Sequence, residues 1–292
     1  MEGGREILFS FKEVDGVLVF DEESGRDEGS NFIEEDEMVC RTLDRGGRRT
    51  NSMLRKESAK MPKEIPLRAL DAAYRVLDEE RMLERSGSVL SSAEATLRKG
   101  SFYFLGLNPG GHDIGPDSRD ARAQDYPTLA DSLAASRLGY NAFDQDWSTS
   151  SRSFEPGQSP MQKNFKFICR ALGLCYSEVC ASNFVFTRST RVKDHRAWEA
   201  DLKVSERVHA IFLDAVQPDF LWIQGNPDTV GLKTQMDWVP TEHHNWTIGH
   251  GTAEFCGKTW RACHTPHLSL WHPQNNEKAL KHSFGPTGLL KL

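Results

Sequence analysis

Apolar residues recur along this chain with two different periods. From Pro66, the positions Leu67, Leu70, Ala73, Tyr74, Val76 and Leu77, with charges between them, fall at helical spacing and predict a helix to about Leu83. A second helix is predicted from Tyr126-Pro127-Thr128-Leu129 to Leu138, with the proline near its first turn. A third runs from Pro160 to about Leu172, with Met161, Phe165, Ile168, Cys169 and Leu172 on one face. Trp198, Leu202, Val208, Ile211, Phe212 and Ala215 mark a fourth, and a last one lies around Asn275 to His282. Between the helices stand short runs unbroken by charge, which read as buried strands: Phe102-Tyr103-Phe104-Leu105, Val179 to Phe186 and Phe220-Leu221-Trp222-Ile223; Thr259 to Cys263, with Arg261 inside it, is a fourth strand candidate. Strand and helix alternate, so the predicted class is α/β, with right-handed crossovers and a mainly parallel central sheet of about four strands covered by helices on both faces.

Each of these strands ends in polar residues. The first delivers Gly106-Leu107-Asn108-Pro109-Gly110-Gly111, the second carries Asn183, the third closes with Gln224-Gly225-Asn226, and the fourth delivers His264-Thr265-Pro266-His267. In a parallel sheet all four ends reach one edge, and ligands of open α/β sheets bind there because helices cover the faces. Gly110 and Gly111 leave room for a ligand to approach the backbone closely. Asp144 to Ser159 reads as a polar loop, and so does His112 to Gln124, whose length points to function or mobility.

The N-terminal part differs. Ile7 to Phe11 and Val17 to Phe20 flank Asp15-Gly16, a dipeptide suited to a hairpin turn. Nine acidic residues and one arginine follow between Asp21 and Glu37, a local charge of −8 against a whole-chain net of −6, so the remainder carries +2 and does not exclude nucleic acid. Arg41 to Lys63 then holds eight Lys/Arg against Asp44 and Glu57. Residues 1–65 are therefore read as an extension, either a solvated low-order segment or a basic arm masked by the acidic run, and 66–292 as the folded domain. The six cysteines show no CxxC pair, and no apolar run approaches the roughly 18 residues that span a bilayer. The expectation is a reduced, cytoplasmic protein away from membranes. No pair among His243, His244, His250, Cys256, Cys263 and His264 has the spacing of a known zinc ligand set, so neither metal nor cofactor is expected.

The order of these strand ends resembles the uracil-DNA glycosylase superfamily. Gly106-Leu107-Asn108-Pro109-Gly110 is similar to the first motif of its mismatch-specific and single-strand-selective branches, His267-Leu268-Ser269 stands where the family ends its last strand with His-Pro-Ser, and Asn183 falls where it places a base-pairing asparagine. The resemblance covers about Leu67 to the C terminus and implies a three-layer α/β/α sandwich, DNA as partner, no cofactor and a monomer. It implies a monofunctional glycosylase that takes a base out of the stack and hydrolyses its N-glycosidic bond. Asn108 and His267 would be catalytic, the first positioning water and the second donating to the leaving base as its negative charge develops. Gly106, Gly110, Gly111, His112 and Asn183 would bind the base, Asn183 offering a donor and an acceptor to a pyrimidine edge. Arg188, Ser269, Leu270 and Trp271 would contact DNA. Leu270 and Trp271 are read either as a wedge for the vacated gap or as ordinary packing of the last helix.

Leu268 replaces the family's proline, and Gly111-His112 with its long polar loop replaces the residues that close a uracil-sized pocket. The expected substrate is accordingly a modified pyrimidine, such as the decorated cytosines of phage DNA in a defence role. Repair of uracil or mismatched bases is the alternative, and a DNA binder without catalysis is the other class.

Overall fold

The computed structural model describes residues 11–14, 17–20, 65–110, 127–148, 153–189, 191–241 and 246–291. The chain divides into two compact units, Met1–Asn51 and Ser52–Leu292. In the first, β1 (Phe11–Val14) pairs antiparallel with β2 (Val17–Phe20), Phe11 opposite Phe20. This is the expected hairpin, with its first strand shifted toward the turn. The acidic and basic runs and the His112 to Gln124 loop lie outside the described residues, as does the rest of the expected 1–65 extension up to the helix start at Ile65.

The second unit is an α/β fold around a six-stranded sheet. Its strands are β3 (Phe102–Gly106), β6 (Cys180–Asn183), β7 (Phe220–Gln224), β8 (Thr234–Pro240), β9 (Thr247–Phe255) and β10 (Lys258–Thr265), in the order β6-β3-β7-β10-β9-β8. The first four in that order are parallel, while β9 and β8 continue the sheet antiparallel. The parallel, helix-covered sheet is as the alternation predicts. The count of about four is corrected to six, because β8 and β9 do not have the apolar run of a central strand. A further two-stranded ribbon, β4 (Trp147–Ser148) with β5 (Ser153–Phe154), lies in the expected polar loop.

Helices α1 (Ile65–Glu79), α2 (Leu129–Arg137) and α4 (Trp198–Val216) bury their apolar residues on one face of the sheet, with Leu70, Leu77, Leu133, Val208 and Phe212 against Tyr103, Leu105 and Leu221. Helices α3 (Pro160–Ala171) and α5 (Glu277–Phe284) cover the other, where Phe165, Ile168, Leu280 and Phe284 meet Phe102, Phe104 and Trp222. Both faces of β3 are thus sealed, and every one of its residues is buried. With each large apolar side chain worth about 1.5–3 kcal/mol on burial, slipping this strand by one residue would exchange two fully packed faces. The α3 face is aromatic: Phe165 stacks on Phe143 at 3.7 Å and on Trp222 at 5.1 Å between ring centres, with Phe104 edge-on to Phe165.

Local chemistry sets the helix starts. Ser159 and Gln162 form a reciprocal capping box with Pro160 in the first turn of α3, and Thr128 and Asp131 do the same for α2. Helix α4 stops where Gln217 turns left-handed at φ 45° before Pro218.

Candidate active site

Strand register brings the expected polar ends together. Gly106 lies opposite Asn183 on β6, Leu105 opposite Ile223 on β7, and Gln224 opposite Thr265 on β10. Beyond that row the chain turns at Asn108-Pro109, at Asn183, at Gly225 and at His267. A left-handed φ of 84° at Gly225 makes the third turn, and a Cβ there would lie 3.1 Å from the Leu107 side chain, so glycine permits close packing of two strand ends. The amide N–H of Gly225 donates to Thr265 O at 3.0 Å, which joins the third end to the fourth.

Asn108 is half-buried and held by its own nitrogen. Its Nδ2 donates to Ser189 Oγ at 2.9 Å, Pro109 O at 3.0 Å and Ser189 O at 3.2 Å. With the amide nitrogen occupied, Oδ1 is the atom of this side chain that keeps acceptor capacity, and it takes no hydrogen bond among the described residues. The 188–191 loop and the Asn-Pro-Gly turn are stitched further by Ser189 N to Pro109 O at 3.3 Å and by the Arg188 guanidinium, which donates to Gly110 O. Arg188, expected to contact DNA, is thus placed as a tie between two loops. The loop rests on a buried group: Asp201 accepts from Arg85 and Thr187, each at 2.5 Å, and His195 Nε2 lies 2.7 Å from the Thr187 hydroxyl.

Asn183 is placed by its neighbours on both sides. A Cβ on Gly106 would come within 2.4 Å of Asn183 Oδ1, so the glycine is where this amide lies across β3. Its carbonyl is fixed from below, since His209 Nε2 lies 2.9 Å from Asn183 O and His209 Nδ1 lies 2.8 Å from the Tyr103 hydroxyl. A carbonyl only accepts, so Nε2 carries the proton and Nδ1 accepts from tyrosine. Burial lowers the His209 pKa to about 4, which keeps the ring neutral.

His267 is oriented from its own loop. Its Nδ1 lies 2.7 Å from Ser269 Oγ and 3.3 Å from Ser269 N. The backbone N–H can only donate, so Nδ1 is an acceptor and the proton sits on Nε2. Desolvation by the surrounding protein lowers the pKa of this ring, although its surface stays open to solvent. His267 therefore presents a neutral Nε2–H donor outward. Ser269, expected to contact DNA, is found orienting this ring. Leu268 is fully buried, and its N–H reaches Gln224 Oε1 at 3.4 Å.

Two residues of the pair read as a wedge separate cleanly. Trp271 is 1% exposed and packs in the α3–α5 core, so its DNA contact is corrected to the packing role; Leu270 is 60% exposed at the loop tip. Gly110 lies on the surface of its turn, while Gly111 and His112 are outside the described residues.

Sequence reasoning missed Asn164. This buried α3 residue donates Nδ2 to Leu268 O at 2.7 Å and Trp271 O at 2.8 Å, and its Oδ1 accepts from Gln274 at 3.0 Å. It shapes the His267 loop by holding its backbone carbonyls at Leu268 and Trp271. The only signal was a polar residue on the apolar face of a helix. His264 proves a loop support: its Nε2 donates to Gly225 O at 2.6 Å, and burial lowers its pKa to about 4.

No protein-family model matches this chain, and a search of curated proteins finds no match. Among the described residues no helix is long and apolar enough to cross a membrane.

Proposed function

We propose that this protein is a DNA glycosylase that receives a flipped, modified or deaminated pyrimidine at the carboxyl edge of its sheet and hydrolyses the N-glycosidic bond. The observation that carries the reading is the fixed polarity of the strand-end groups. Asn108 Oδ1 takes no hydrogen bond among the described residues and His267 Nε2–H is a donor, and each is set by hydrogen bonds to the other atoms of its side chain.

Glycosidic cleavage builds positive charge on the sugar while the leaving base gathers negative charge. A neutral Nε2–H aimed at a carbonyl oxygen of the base stabilises that anion, and a donor held in advance costs no reorganisation in the transition state. Asn108 Oδ1 accepts from a water and aims one of its lone pairs at the sugar carbon. As an amide it cannot take the proton, so its contribution is orientation, and the proton that the water loses as the C–O bond forms and the C–N bond breaks passes to solvent and so to the released base anion. Asn183 pairs with the base edge, and Leu270 fills the gap in the stack.

The test is incubation of the protein with DNAs carrying uracil, thymine mismatches, or hydroxymethylated and glucosylated cytosine, followed by alkaline cleavage and mass analysis of released bases. Release of one of these bases, lost by at least about 100-fold in Asn108→Ala and His267→Ala with DNA affinity retained, is the expected outcome. Unchanged release in both variants would overturn the site. DNA binding without release of any base would favour a binding module.

A further inference from the structure

We propose a second site at the antiparallel edge of the sheet, where α5 packs on β8 and β9: Asp237, His250 and His282 bind a divalent transition-metal ion, for which two imidazoles and a carboxylate best suit Zn²⁺. The three residues come from three elements. Asp237 of β8 is the direct cross-strand partner of His250 on β9, and His282 projects from α5, which packs against these strands. One ligand atom from each lies within 4.8 Å of the others, and the two imidazole rings sit 4.8 Å apart between centres. Tetrahedral zinc with bonds near 2.0–2.1 Å needs donor separations of roughly 3.3 Å, so closure asks for shifts on the order of an ångström.

Hydrogen bonding alone accounts for part of the cluster. His282 Nε2 lies 2.9 Å from Asp237 O and 3.6 Å from Asp237 Oδ2. It does not account for His250, whose Nδ1 is buried and has no hydrogen-bond partner among the described residues. A buried imidazole nitrogen without a partner is unfavourable, and a metal ion is a partner that would remove this cost. The helix that brings His282 is itself anchored, since Ser283 Oγ lies 2.8 Å from Gly249 O and 3.1 Å from His264 O. The ligands therefore sit on fixed elements, three protein donors leave the fourth position to water, and the ion would clamp the edge strand to the last helix.

The cluster is three to four strands from β3 and its Asn108 turn, and its test is independent of glycosylase activity. Full-length protein stripped with a chelator is titrated with Zn²⁺ by calorimetry and with Co²⁺ by visible absorption. The expected result is one tight equivalent, the intense absorption of tetrahedral Co²⁺, and a rise in Tm with Zn²⁺. Binding should weaken at least about tenfold in Asp237→Asn and about 100-fold in His250→Ala/His282→Ala, whereas His267→Ala keeps the full equivalent. Asp237 is a surface residue, so its variant reports even if the double variant does not fold. Wild-type affinity in Asp237→Asn, or no stoichiometric binding by the wild type, would overturn the site.

Discussion

Two carbonyl oxygens, of Leu268 and Trp271, turn inward at the base of the His267 loop, and a single side chain satisfies both. Asn164→Leu keeps the volume and the helix but leaves both acceptors buried and unpaired, each worth about 1–3 kcal/mol. The expected loss is roughly 2–6 kcal/mol in a urea titration and, on the proposed glycosylase reading, base release should fall further than DNA affinity because the histidine is no longer held. Ser269→Ala is the milder counterpart. Its backbone N–H still reaches His267 Nδ1, but the stronger hydroxyl contact is gone, so stability should stay within about 0.5 kcal/mol of wild type on this surface loop while base release drops about tenfold. Equal activity of Ser269→Ala and wild type would show that the ring orients without it.

Strands and turns differ in how readily the chain announces them. Strands β3, β6 and β7 were legible because their residues are almost all buried, which writes an uncharged run into the sequence, while β10 carries Arg261 on its exposed first half and was legible from its apolar end and the polar loop it delivers. Strand β9 escapes because Gly249 and Gly251 depress its strand character; yet a Cβ at Gly249 would lie 2.8 Å from Asp237 O, so the glycine serves the close approach of β8. β8 lies at the sheet edge with Asp237 inside it and Pro240 at its end, so it offers no apolar run. Asn108, Asn183 and His267 were legible as polar ends of apolar strands. Asn164, His209 and the Asp237 cluster were not, because their partners stand on other elements and no local spacing encodes them. At the junction of β3 and β6, Gly106→Ala tests the element-scale fit. The new methyl group meets the tip of the Asn183 side chain, so the protein should fold with little loss, and on the proposed glycosylase reading KM for the DNA substrate should rise severalfold with kcat less affected. Steady-state kinetics beside a thermal melt separates the two.

Acid reaches the whole molecule through two histidines that the fold keeps neutral. His209 and His264 are held at about 4, against an ordinary value near 6.5, by burial. Below 6.5 the unfolded chain takes up protons that the folded one refuses, so this contribution is fully present above pH 6.5 and is lost as pH falls toward 4. Urea midpoints should decline across that window, and His209→Gln, less stable at neutral pH, should decline less steeply. Identical slopes in both proteins would remove His209 from the account.

Synthesis from the N terminus meets the strands in an awkward order. Phe102–Gly106 is interior to the sheet, yet both its neighbours, Cys180–Asn183 and Phe220–Gln224, are made later. A nascent chain therefore leaves the ribosome with its most apolar strand open along both edges, and it stays so until two crossovers have been completed. Overproduction should fail first by aggregation through this segment, and slower translation or a holding chaperone should recover more soluble protein than any change at the carboxyl edge of the sheet.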